Sequence, residues 1–100
     1  MLVIAGTITI DPEKRELAIA AVRELMAETR KEAGCVAYNF AADLADPGQF
    51  WLFEEWESQT ALEAHTKAPH MKRFQAAIPS LGFRGMKAKR YEVSSAGPLR

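Results

Sequence analysis

The run from Phe50 to Trp56, which reads FWLFEEW, constrains the fold more than any other segment of the chain. Side chains alternate between the two faces of a strand. One face of this run carries Phe50, Leu52, Glu54 and Trp56, and the other carries Trp51 and Phe53. A strand with one solvated face would be polar on that side. In a chain of 100 residues, we therefore expect helices to cover one face and a second copy of the protein to cover the other.

Hydrophobic periodicity predicts strands and helices in the order β-α-β-β-α-β. Strands are predicted over 2–10, 35–43, 49–57 and 83–93, a long helix over 12–33, and a helical region from 58 to 79 that is interrupted at Pro69. Asp11-Pro12 suits a helix start, and Asp46-Pro47-Gly48 suits a hairpin turn. This order is that of the ferredoxin-like α+β fold with one antiparallel sheet. Residues 1–93 are predicted to form the single domain, and residues 94–100 a flexible tail.

Composition and simple motifs exclude several classes of function. Lys plus Arg and Asp plus Glu are 13 each, so no basic excess indicates nucleic-acid binding. No apolar stretch approaches the ~20 residues of a membrane span, and no leader pattern precedes the first predicted strand, so we expect a cytoplasmic protein without a membrane partner. The single cysteine, Cys35, is interpreted as a buried inert thiol. Phosphate-binding and dinucleotide motifs are absent from the sequence.

Several short motifs occur in a fixed order over about the first eighty residues. They are Glu32-Ala33-Gly34-Cys35, Tyr38, Asp46-Pro47, Phe50-x-Leu52-x-Glu54-x-Trp56, Leu62-x-x-His65, Pro69-His70 and Phe74. The ordered set resembles the antibiotic biosynthesis monooxygenase domain family. The resemblance implies a dimeric α/β barrel made by sheet-to-sheet packing, with a cavity between sheet and helices in each subunit. It also implies oxidation of quinols, anthrones or similar phenols by dioxygen, with no metal, flavin or other cofactor.

The same resemblance separates three branches of the family. Trp56 matches a pocket tryptophan of the polyketide-oxidising branch, but the other polar pocket residues of that branch fall on Leu52, Leu62 and Ala76. The haem-ligating histidine of the haem-degrading branch falls on Gln75. The quinol-oxidising branch therefore fits this sequence better.

His65 is the candidate catalytic residue. A histidine that faces an apolar cavity can take a proton from a phenol, and the alternative is a helix-terminal histidine that packs or caps. His70, beside Pro69, is interpreted as a surface or cap residue. The spacing between the two histidines resembles that of histidine ligands in metal sites, but no Cys, third His or Asp cluster accompanies them. Because a zinc site needs three or four ligands, no metal is predicted.

Glu54 lies among apolar residues, so two interpretations are open for its carboxyl group. It is either a base with a raised pKa or a carboxylate in a buried hydrogen bond that fixes the dimer or the following helix, and the second interpretation is favoured. Tyr38 and Asn39 point to opposite faces of their strand, so at most one reaches the cavity and Asn39 alternatively binds at the dimer face. The predicted substrate-binding residues are Trp56, Phe74, Leu62, Asn39, Tyr38 and Glu54.

The resemblance, taken with these residues, implies a cofactor-independent monooxygenase that oxidises a quinol or another electron-rich phenolic or polycyclic aromatic with dioxygen. His65 would deprotonate the substrate, and the phenolate would reduce dioxygen directly. Apolar residues at pocket positions favour one alternative, a non-catalytic dimeric module that binds a small apolar ligand or serves in a stress response. A second alternative is an isomerase or a signal-molecule-degrading enzyme with the same fold.

Overall fold

The four strands of the computed structural model, which describes residues 1–100, form one sheet in the order β2-β3-β1-β4. All neighbouring strands are antiparallel. The elements are β1 (Leu2–Ile10), α1 (Arg15–Thr29), β2 (Cys35–Ala42), β3 (Gln49–Trp56), α2 (Gln59–Thr66), α3 (Pro69–Ala77) and β4 (Phe83–Glu92), with 3-10 turns over Pro12–Lys14 and Ile78–Ser80. The predicted ferredoxin-like α+β fold is confirmed, and the helical region does divide at Pro69.

The two faces of β3 differ as the sequence predicts. Phe50, Leu52 and Trp56 are buried beneath the helices and belong to the two hydrophobic clusters of the core. On the opposite face, Trp51 and Phe53 are 49% and 40% exposed. The chain's own helices therefore cover one face of the sheet, and the other face is open in the single chain.

The helical segment begins at Pro12 as predicted, with a 3-10 turn that leads into α1, and α1 ends earlier than predicted. The Asp11 carboxylate accepts a hydrogen bond from the backbone N–H of Glu13 at 3.0 Å, which stabilises the entering turn. The helix ends at Thr29, four residues short of the predicted end, and the chain then turns through Gly34, whose φ is +82°. Leu17 is 58% exposed, because the buried positions follow a narrow line along the helix. Those positions are Ala18, Val22, Leu25 and Thr29.

A register shift at the start of β2 changes which side chains face the core. The shift lies between Cys35 and Ala37, so Val36 is exposed instead of sharing the inner face with Tyr38 and Phe40. Cys35 packs against the core cluster in its place. Burial, followed by the charges of Glu32 and Glu54, raises the pKa of the Cys35 thiol. The thiol therefore stays protonated, as expected of an inert cysteine.

The last residues form no helix or strand. Residues 94–100 are exposed, and the backbone N–H of Val93 donates to the carbonyl of Met1 at 3.0 Å. Among the three α-helices, none combines the length and apolar character needed to cross a membrane.

Candidate functional site

A cavity of about 420 Å³ lies between the inner face of the sheet and α3. Most of its lining is apolar, and four residues contribute polar side chains, namely Tyr38, Glu54, Gln75 and Arg84. The apolar walls include Leu52 from β3 and Phe74 from α3. A mostly apolar cavity with a few polar groups is typical of a site for a small organic molecule.

Strand alternation places Glu54 on the wall of this cavity. Glu54 lies between Leu52 and Trp56 on the inner face of β3, and its side chain is buried, with 6% exposure. Trp56 Nε1 donates to Glu54 Oε1 at 2.9 Å, because residues two apart on a strand share a face. Burial raises the pKa of the Glu54 carboxyl, and this effect outweighs the opposing effects of the Trp56 hydrogen bond and of His65. Glu54 is the only carboxyl group in the cavity lining.

Tyr38 lies beside Glu54 in the sheet, since β2 and β3 pair these two residues in register. The tyrosine is buried and lines the same cavity. Burial is the main cause of a raised pKa for its phenol, followed by the negative charges of Glu54 and Glu32. The hydroxyl group therefore keeps its proton and can donate a hydrogen bond to a bound oxygen atom.

His65 is buried one layer behind the cavity and does not line it. Its ring packs on Trp56, with centroids 4.8 Å apart, and against the edge of Tyr38 at 5.2 Å. Its Nδ1 atom lies 2.7 Å from Glu32 Oε2. The residue predicted as the base is thus close to the site, but Tyr38 and Glu54 form the cavity wall.

Glu32, His65 and His70 form a cluster at the junction of three segments, the turn after α1, the end of α2 and the first turn of α3. Glu32 Oε2 lies 2.7 Å from His65 Nδ1 and 2.7 Å from His70 Nε2. A carboxylate oxygen only accepts hydrogen bonds, so each imidazole donates one N–H to it. We refer to these three residues as the Glu-His-His cluster.

The cluster corrects two sequence-based interpretations. His70 is not a surface residue, because its side chain is only 14% exposed. The histidine pair also has a third potential ligand in Glu32, which the sequence did not reveal because Glu32 lies 33 residues before His65. The motif Glu32-Ala33-Gly34-Cys35 was the one signal that could have identified it.

The other predicted binding residues divide between the cavity and other surroundings. Phe74 lines the cavity together with Tyr38 and Glu54. Trp56 is fully buried behind Glu54, and Leu62 packs against the core cluster that contains Trp56. Asn39 is exposed, and its Oδ1 atom accepts from Arg30 Nη2 at 2.6 Å. Trp56, Leu62 and Asn39 therefore do not line the cavity. Gln75 and Arg84 do, and the sequence did not single them out as binding residues.

Comparison with known proteins gives one consistent relationship. The model of the antibiotic biosynthesis monooxygenase family matches residues 1–77. The uncharacterized protein sll1783 of Synechocystis is 31% identical over 98% of this chain and 67% of its own length. The probable quinol monooxygenase YgiN of Escherichia coli is 30% identical over 78% of this chain and 85% of its own length.

The fold has a close counterpart among solved structures. The crystal structure of a protein from Deinococcus radiodurans superposes with a TM-score of 0.90 and 26% sequence identity. The superposition covers 100% of this chain and 99% of the other. The similarity thus extends over both the sheet and the helices that enclose the cavity.

Proposed function

This chain belongs to the antibiotic biosynthesis monooxygenase family, and from that membership and its cavity we propose that it is a cofactor-independent monooxygenase for a quinol or a similar electron-rich phenol. The observation that carries the proposal is a buried carboxyl group, Glu54, in a mostly apolar cavity. Support for the substrate class comes from YgiN, a relative named as a probable quinol monooxygenase. A cytoplasmic location, as the sequence predicts, is part of the proposal.

In this proposal Glu54, rather than His65, takes the proton of the substrate. A base must reach the proton that it abstracts, and Glu54 lines the cavity whereas His65 lies behind it. A carboxyl group with a raised pKa is also a better match to a phenol than an ordinary one. Tyr38, still protonated, donates a hydrogen bond that orients the substrate oxygen.

The reaction balances without an added reductant. Loss of a proton to Glu54 gives an electron-rich phenolate, which transfers electrons to dioxygen. One oxygen atom then forms a bond to the ring carbon, and the other leaves as water. The quinol supplies the electrons and becomes a hydroxylated quinone. The apolar walls exclude water from the reactive phenolate.

The proposal is tested by oxygen uptake with a panel of hydroquinones and anthrones, in chelator-treated buffer without added metal. We expect turnover by the wild-type protein and a fall of about 10²–10⁴-fold in Glu54→Gln, the usual contribution of a general base. Glu16→Gln, at an exposed position on α1, is the matched control and should behave as wild type. Full activity in Glu54→Gln together with its loss in His65→Asn would return the role of base to His65.

A negative result would also be informative. If phenolic ligands bind but no oxygen is consumed, the chain is a ligand-binding module and the monooxygenase proposal fails. If a substrate is converted without oxygen uptake, analysis of the product distinguishes an isomerase from an oxidising enzyme.

We further propose that two copies pair through the open sheet face. Trp51 and Phe53 project from it at the centre of the sheet, and Trp51 Nε1 donates to Asp43 Oδ1 at 2.8 Å, which holds the indole in place. An exposed apolar patch of this kind is typical of an interaction surface. Because small domains gain stability by association, a second copy is the partner that we propose.

A further inference from the structure

We propose that the Glu-His-His cluster binds one divalent transition-metal ion of the zinc class. Its three potential ligand atoms are the Glu32 Oε2, His65 Nδ1 and His70 Nε2 atoms, which lie within 4.8 Å of one another. Two imidazole nitrogens and one carboxylate oxygen form a donor set that suits Zn²⁺ and Co²⁺. The proposal is independent of the proposed oxidation chemistry.

The protein already brings the three ligands together from distant parts of the chain. Glu32 lies in the turn after α1, His65 at the end of α2 and His70 in the first turn of α3. All three side chains are at least 85% buried. Much of the entropy of bringing the ligands together is therefore lost on folding, before any metal arrives.

Binding of a metal ion requires a local rearrangement of the three side chains. The carboxylate oxygen lies 2.7 Å from each nitrogen, which is a hydrogen-bond distance. With metal–ligand bonds of about 2.0–2.1 Å in a tetrahedral site, neighbouring ligand atoms lie roughly 3.3 Å apart. The carboxylate oxygen must therefore withdraw by about half an ångström from each nitrogen, and the two nitrogens, which lie within 4.8 Å of each other, must approach by up to about 1.5 Å. Glu32 lies in a turn rather than a regular helix, and rotation of the two imidazole rings about their side-chain bonds would supply the rest of the movement. For each histidine to bind the ion, its coordinating nitrogen must give up the proton that faces Glu32, which passes to the other ring nitrogen or to solvent.

An entry path and a fourth coordination position are also available. His70 lines a second cavity of about 190 Å³ at the surface between α1 and α3, beside Glu24 and Arg73. Three protein ligands leave one position for a water molecule, and this cavity can hold it. None of the three cluster residues lines the 420 Å³ cavity. The bound ion would therefore stabilise the junction of α1, α2 and α3 and would take no part in the oxidation.

Cobalt titration provides a direct test on the intact chain. Tag-free protein is treated with chelator, dialysed and titrated with Co²⁺, and we expect one equivalent to produce visible absorption from a nitrogen and oxygen ligand set. The absence of a thiolate-to-cobalt charge-transfer band would distinguish this site from one in which Cys35 is a ligand. Since His65 and His70 are the only histidines, no other imidazole can account for binding.

Thermal unfolding with Zn²⁺ provides the second measurement. A ligand at 100 times its Kd should raise the Tm by about 10 °C in a domain of this size. His70→Ala should abolish both the shift and the cobalt spectrum, whereas Glu16→Gln should retain both. Retained binding in a folded His70→Ala variant would overturn the assignment.

The wild-type protein alone can also refute the proposal, even if a variant does not fold. If the wild-type protein shows neither cobalt absorption nor a Zn²⁺-dependent Tm shift at millimolar metal, the cluster serves only as a hydrogen-bonded connection between segments. Oxygen uptake in chelator-treated buffer should not change with Zn²⁺. A failure of the oxidation assay and a failure of metal binding are thus separate results.

Discussion

Glu54 places an ionisable carboxyl group in a buried and mostly apolar cavity. Desolvation disfavours its charged form, and the single indole N–H of Trp56 compensates only in part, so the net effect is a raised pKa. The folded chain thus holds this proton more firmly than the unfolded chain does. A site of this kind is expected to reduce stability at neutral pH in return for reactivity.

Glu54→Gln should therefore stabilise the protein at neutral pH while it removes activity. A raised folded-state pKa contributes stability that is fully present below the unfolded-state pKa of about 4.3 and is lost as pH rises through the folded-state pKa. Glutamine cannot ionise and can still accept from Trp56, so the variant should unfold at higher urea than wild type at pH 7. The difference in stability between the variant and the wild type should shrink near pH 4, where the Glu54 carboxyl is largely protonated in the folded protein. Urea denaturation at the two pH values measures it, and a constant difference would contradict the assigned shift.

Tyr38→Phe tests whether the phenol orients the substrate without acting as the base. The variant loses one hydroxyl group and keeps the ring packing with Phe40 and Trp56. We expect kcat/KM to fall about fivefold, the value of one hydrogen bond of roughly 1 kcal/mol. The acidic limb of the pH profile of kcat/KM should be unchanged, because in this proposal it reports the titration of Glu54. Disappearance of that limb would assign the titrating group to Tyr38.

The positions of individual residues show how much of the candidate site can be predicted from the sequence. Alternation along β3 is enough to place Glu54 on the inner face with Leu52 and Trp56, whereas alternation along β2 left open whether Tyr38 or Asn39 reaches the cavity. The distance of His65 from the cavity depends on how α2 is rotated against Trp56, which is a tertiary contact that local periodicity does not specify. The contact of Glu32 with His70 spans 38 residues, and no local pattern predicts such a pairing.

At the scale of elements, β1 depends on a close approach of β4 at Gly6. A Cβ atom at this position would lie 2.0 Å from the Lys87 carbonyl oxygen and 2.5 Å from Ala88 Cα, both of which are backbone atoms. Gly6 is paired with Leu52 on one side and Ala88 on the other, in the central part of the sheet. A side chain here can be accommodated only if β1 and β4 move apart.

Gly6→Ala should therefore lower the free energy of unfolding by about 1–3 kcal/mol, the usual cost of overpacking. Chemical denaturation measures the change. Gly85→Ala is the matched control, because a Cβ atom at Gly85 on β4 would meet no atom within 4 Å. The control should change stability by less than about 0.5 kcal/mol. Equal effects in the two variants would show that strand propensity, rather than the close approach, is responsible.

The elements themselves were largely predictable, and the exceptions have tertiary causes. Alternating and helical periodicity predicted all four strands and the break at Pro69. The end of α1 differs, and there Arg30 extends from the helix end to β2, where its Nε atom donates to the carbonyl of Tyr38 at 3.1 Å. The exposure of Val36 follows from a register shift against β3. Neither contact is encoded in the local hydrophobic pattern.

At the scale of the whole molecule, the open sheet face is the surface through which we propose that two copies associate. The inner and outer side chains alternate along the same strands, so a partner packed on Phe53 would also restrain Glu54 next to it. We therefore expect association and activity to be coupled. The cavity lies within one chain, yet the rigidity of the sheet that forms its wall would depend on the second copy.

Phe53→Lys should convert a dimer into a monomer. Wild-type protein is expected to have twice the chain mass of 11.1 kDa in light scattering. The variant should have the mass of one chain, because the sheet-to-sheet contact would otherwise bury an unpaired ammonium group. Leu17→Lys, at an exposed apolar position on α1, is the control and should remain dimeric. A monomeric wild-type protein at all concentrations, with Trp51 fluorescence typical of an indole in water, would show that no second copy covers this face.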